Sequence, residues 1–180
     1  MGDPMNQAEI LELVDRYGEE FIAVADPIFS HKAYQEMKNI FHHYGTVYEH
    51  CLEVAYLAHR MAKKFNLDTE ACIRGALLHD FHLYQFAKRE DRSLVMESFR
   101  HSRNHPKDAL GNAVKYWEIS CKEADIIVNH MFPFALPRCR EAWIITFVDK
   151  YLAAQEYSLR FKGAIGFRMR RLRMFLATRI

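Results

Sequence analysis

The sequence predicts an all-α protein, and three observations carry that expectation. Apolar residues recur at helical spacing along most of the chain, with no sustained alternation of the kind a half-buried strand needs. The glycines and prolines that stop helices fall between these periodic stretches. Two helix-capping side chains, Thr46 and Asp68, stand immediately ahead of such stretches.

Taken in order, a first helix is expected over about 7–25. Ile10, Leu13, Val14, Tyr17 and Phe21 share its inner face, and Asp26-Pro27 closes it. A second helix, about 31–43, stops at Tyr44-Gly45. The third has the clearest start. Thr46 caps it while Glu49, three residues on, reaches back to form a capping box, and it runs to about Phe65. A fourth follows the Asp68 cap and ends in Ala76-Leu77-Leu78-His79-Asp80. The charged stretch from Gln85 to Ser93 reads as a loop. Pro106 suits a first helical turn, so the next helix is placed from there to about Glu118. Two more are expected over about 122–131 and 138–160, and a last basic helix over about 164–179.

At this length the chain suits one domain, 1–180, with no internal repeat. Half the residues are hydrophobic and 27% are charged, the balance of a globular protein. The net charge is +2, but from Ser158 to Ile180 there are seven basic and no acidic side chains, which leaves the rest of the chain at −5. Arginines there interleave with Ile165, Phe167, Met169, Leu172 and Phe175. The preferred reading is a terminal helix packed on the bundle or on a second subunit of a homodimer. A nucleic-acid or anionic-membrane contact is the alternative. The four cysteines form no CxxC pair, which argues against zinc-ribbon and thioredoxin chemistry. No basic stretch leads into an apolar run near Met1, and position 6 is Asn6 where a myristoylation signal needs Ser or Thr. The expected compartment is the cytoplasm.

Ten histidines are a high count, and several sit where apolar residues belong. His50 precedes Val54 by four on the apolar face of the third helix. Ile126 and Ile127 precede His130 by four and three, so His130 points inward as well. Asp149 follows Ile145 by four on a strongly apolar helix, and His79-Asp80 ends an apolar run. A buried carboxylate is costly unless paired or metal-bound. Inward aspartates and histidines on several helices therefore point to a shared metal, and imidazole with carboxylate suits Fe, Mn, Co or Zn. His31, His42 and His59, taken singly, read as ordinary hydrogen-bonded core histidines.

These residues resemble the HD superfamily, whose signature is a histidine, a His-Asp pair and a distant aspartate. The matching stretches are Tyr48-Glu49-His50-Cys51-Leu52-Glu53-Val54-Ala55, Gly75-Ala76-Leu77-Leu78-His79-Asp80 and Thr146-Phe147-Val148-Asp149-Lys150. Asn104-His105-Pro106-Lys107 and Ile127-Val128-Asn129-His130 resemble the variant with extra ligands. The resemblance spans about 43–155 and implies a helical bundle around two metals. His50, His79, Asp80 and Asp149 would hold one, and Asp80, His105 and His130 the other. It further implies a phosphohydrolase acting on a small phosphorylated substrate, nucleotides among the candidates, through water activated by the two metals that Asp80 bridges. Lys150, Arg103 and Lys107 are candidates to hold the phosphate, and His82 and His101 to protonate the leaving group. Some proteins with this ligand order are mixed-valence di-iron oxygenases, and a third class keeps the fold as a silent regulatory or binding module, though such members usually lose ligands. Both remain alternatives.

Overall fold

The computed structural model describes residues 7–42, 45–83, 94–155 and 158, the side chains at 7, 41, 42 and 94–102 excepted. The chain divides into two compact units, Met1–Val148 and Asp149–Ile180. Among its described residues the first is all-α apart from one minimal hairpin. The expected basic helix over 164–179 and loop over 85–93 lie outside the described residues, as do Met1 to Pro4.

Helices α1 (Gln7–Tyr17) and α2 (Glu19–Phe29) replace the single expected first helix. Gly18, at φ +87°, breaks the run in a backbone conformation that costs glycine little. Pro27 lies inside α2 instead of ending it. A proline there forfeits one helical hydrogen bond, yet the last turn is held by fully buried Ile28 and Phe29. The expected second helix shrinks to α3 (Lys32–Gln35) and a 3-10 turn, Glu36–Asn39. Two-residue strands, β1 (Phe41–His42) and β2 (Gly45–Thr46), then pair antiparallel, Phe41 opposite Thr46.

Helix α4 (Val47–Lys64) starts as expected, with the Thr46–Glu49 capping box formed in both directions. Helix α5 (Thr69–Leu78) is capped by the Asp68 carboxylate, which accepts from the Ala71 N–H at 3.0 Å. These two pack extensively on each other. Both carry small buried side chains, Ala55, Ala58 and Ala62 on α4 and Ala71 and Ala76 on α5. Helix α6 (Leu94–Ala113) begins well before Pro106, which it carries in its interior. Helix α7 (Cys121–Asn129) has a capping box of its own, Ser120 with Glu123. A further helix, α8, covers 140–155. It starts in the first unit and ends in the second.

The core of the first unit is assembled from α2, α4, α5 and α7. Its largest fully buried side chains include Tyr34, Phe21, Phe29, Phe81, Ile126 and Ile145. Each contributes on the order of 1.5–3 kcal/mol by leaving water. Among the described residues no helix is long and apolar enough to cross a membrane.

Candidate metal centre

Four helices deliver the buried donors of the first unit. His50 comes from the first turn of α4, on the face that buries Cys51 and Val54. His79 and Asp80 follow the last residue of α5. His105 projects from α6, and His130 follows the last residue of α7. All five are at most 6% exposed. They form two triads in which one ligand atom from each residue lies within 4.8 Å of the others: His50 with His79 and Asp80, and Asp80 with His105 and His130. Asp80 is common to both.

The Asp80 carboxylate is the meeting point. Its Oδ1 lies 3.0 Å from His105 Nε2 and 3.6 Å from His130 Nε2, and its Oδ2 lies 3.5 Å from His79 Nε2. His105 and His130 bring their Nε2 atoms to 3.1 Å. Burial pushes the Asp80 carboxyl up. The imidazoles of His79, His105 and His130 outweigh that and hold it well below the usual carboxylate range.

Two backbone carbonyls decide which nitrogens face inward. His79 Nδ1 lies 2.6 Å from the Ala76 carbonyl, and His130 Nδ1 lies 2.9 Å from the Ile127 carbonyl. A carbonyl only accepts, so each Nδ1 carries the proton and donates. The Nε2 atoms are then the ones turned toward the Asp80 carboxylate. Such carbonyl partners are what orients metal-binding imidazoles, leaving the other ring nitrogen to face a cation. The donor set of imidazole nitrogens around a shared carboxylate fits a divalent transition metal.

The sequence-predicted residues fare differently. His50, His79, Asp80, His105 and His130 are brought together. His82 is buried close by, its backbone N–H donating to the Asp80 carbonyl at 2.7 Å and its ring centroid 6.4 Å from that of His105. Burial lowers the His82 pKa, the Asp80 charge opposes that in part, and the net shift is downward. His101 stands one turn before His105 in α6, but its side chain lies outside the described residues. Arg103 and Lys107 are both exposed. Two residues either side of His105 at about 100° per residue, they are turned roughly 160° away from it along α6. Asp149 and Lys150 belong to the second unit, where Lys150 Nζ stands 4.0 Å from Asp149 Oδ2. Of the neighbouring aromatics, Tyr48 and Phe81 are core residues, whereas Phe132, Phe134 and Trp143 are exposed rather than packed inside.

Sequence reasoning missed the two orienting carbonyls, although the signal was present. Both histidines follow a helix and lie three residues beyond a carbonyl of its last turn, one the helix itself cannot satisfy. It also missed Cys51, whose buried sulfur lies 3.9 Å from His79 Nδ1.

An all-helical bundle with two triads of buried histidine and aspartate defines a candidate metal-binding protein. The HD domain family matches residues 47–154, and the chain belongs to that family, which lies in a superfamily of metal-dependent phosphohydrolases. Searches of proteins of curated function and of solved structures gave no match.

Proposed function

We propose that the protein is a metal-dependent phosphohydrolase that cleaves a phosphoester of a small molecule or nucleotide with water. The observation that supports this most directly is Asp80, shared by two buried triads in which His79 and His130 turn Nε2 toward its carboxylate. In this reading His50, His79 and Asp80 hold one divalent ion, and Asp80, His105 and His130 hold the second. The order of the motif adds Asp149 to the first ligand set and Lys150 as a phosphate partner. Both enter on sequence alone.

When bound, the two ions supply the means to ionise water near neutral pH and to neutralise charge on the phosphoryl oxygens. The chain supplies the rest. Ala76 and Ile127 hold the rings of His79 and His130 in one tautomer. Their helices fix the donors before any ligand arrives, and burial of all five donors keeps the field of Asp80 unscreened. His82, with His101 as the second candidate, moves a proton to the leaving oxygen.

The test is elemental analysis of untagged protein, coupled to phosphate release from nucleoside monophosphates and p-nitrophenyl phosphate under anaerobic conditions. The wild type is expected to bind roughly two ions of Fe, Mn, Co or Zn and to release phosphate. Asp80→Ala is expected to lose both ions and the activity while its far-UV circular dichroism stays unchanged. Failure to take up any of these metals sinks the reading, and an absolute requirement for iron and dioxygen replaces it with oxygenase chemistry.

A further inference from the structure

His59 lies outside the candidate metal centre, about two and a half turns beyond His50 on α4. Its side chain is 6% exposed, and its Nδ1 is enclosed with no hydrogen-bond partner. The wholly buried ring of Phe21, from α2, covers it with centroids 5.8 Å apart. Phe21 in turn meets Tyr17 of α1 at 5.6 Å and Tyr56 of α4 at 5.7 Å. The imidazole therefore borders an aromatic cluster that joins three helices. The charged groups that act on it are Glu20 from α2 and Lys63 from its own helix. They pair with each other across the helix contact.

A neutral imidazole suits this place and an imidazolium does not. A second ring proton at Nδ1 would meet no acceptor, and the new charge would be buried against Phe21 with Lys63 nearby. Glu20 offers some relief, but it is largely exposed and already engaged by Lys63, so its pull is screened. We propose that His59 is an acid-sensitive latch: neutral, it lets α2 close over α4, and protonated, it releases α2.

The balance of effects on the ring agrees. Burial lowers its pKa, Glu20 opposes this and Lys63 adds to it, which leaves His59 below the ordinary 6.5. A histidine depressed in the folded state contributes stability that is present above pH 6.5 and is lost as the pH falls through the lower, folded value. The consequence reaches beyond α2, because α2 packs on α5, and α5 leads into His79 and Asp80.

Amide hydrogen exchange of the full chain at pH 7.5 and 5.5, corrected for intrinsic rates, tests the latch. In the wild type, protection of 19–29 is expected to fall several-fold more than that of 121–129 on acidification. In His59→Gln that excess is expected to vanish. The variant retains the histidines of the metal centre, so acid release of metal cannot account for the difference. A titration of the His59 ring in the wild type by nuclear magnetic resonance needs no variant and is expected to give a midpoint below 6.5. A midpoint at or above that value, or an equal loss of α2 protection in both proteins, overturns the proposal.

Discussion

Gly75 of α5 packs against the Ile126 side chain of α7, and replacing it by alanine measures how much the metal centre depends on that approach. A Cβ on residue 75 would stand 2.7, 2.8 and 2.9 Å from Cδ1, Cγ2 and Cβ of Ile126. Carbon atoms rest at about 3.5–4.0 Å, so each contact overlaps by roughly 1 Å. Rotation of Ile126 relieves the first two but not the third, because its Cβ is fixed to the α7 backbone. Alanine gains about 1 kcal/mol of helix propensity over glycine, whereas overpacking a filled core costs about 1–3 kcal/mol. With a backbone-anchored atom in the way the cost falls at the upper end, for a net loss of about 2 kcal/mol. Urea unfolding followed by circular dichroism is expected to show a lower midpoint at unchanged slope. Since α7 leads directly into His130, metal affinity should fall in the same variant. Adding Ile126→Ala to Gly75→Ala should cost less than it does in the wild type, by a coupling of about 0.5 kcal/mol or more. A Gly75→Ala protein stabilised by about 1 kcal/mol would refute the reasoning, because propensity alone would then have decided the outcome.

Asp68 caps α5 and also meets Lys122 at 3.1 Å. The Ala71 N–H lowers its pKa most, burial raises it, and Lys122 lowers it further, for a net value below the ordinary 3.8. Its contribution is therefore present above pH 3.8 and is lost as the pH falls through the depressed value. Asp68→Ala is expected to cost about 1 kcal/mol at pH 7, a difference from wild type that shrinks in urea melts taken toward pH 3. Arg103→Ala and Lys107→Ala should leave metal content and phosphate release unchanged. A loss of turnover in either would show that substrate reaches the outer face of α6.

The parts of the fold that could be read from the sequence were those written in local chemistry. The Thr46–Glu49 box and the Asp68 carboxylate each act within one turn, so α4 and α5 were placed to the residue at their starts. The same pattern at Ser120 and Glu123 went unread, and α7 was begun one residue late. Errors fell where tertiary packing overrides a local preference. Pro27 and Pro106 were taken as boundaries, yet both lie inside helices, and Gly18 broke a run that apolar spacing alone carried straight through. His50, His79, Asp80 and His130 were legible because a polar side chain at an apolar position is conspicuous, whereas His105 was reached only through the family resemblance.

The carbonyls of Ala76 and Ile127 each accept from a histidine three residues further on, at the end of the very helix that histidine follows. One side chain thus finishes the helix and presents the donor atom in the same act. The donors are set during folding, by each helix separately, so their arrangement requires only that the helices pack. Capture of an ion then demands no search among ring orientations, and the entropy such a search would forfeit is settled before the ion arrives. The reverse also holds. A substitution at either histidine leaves a carbonyl of the last turn without its donor, so damage to the metal centre also frays the scaffold, and the two losses cannot be selected apart.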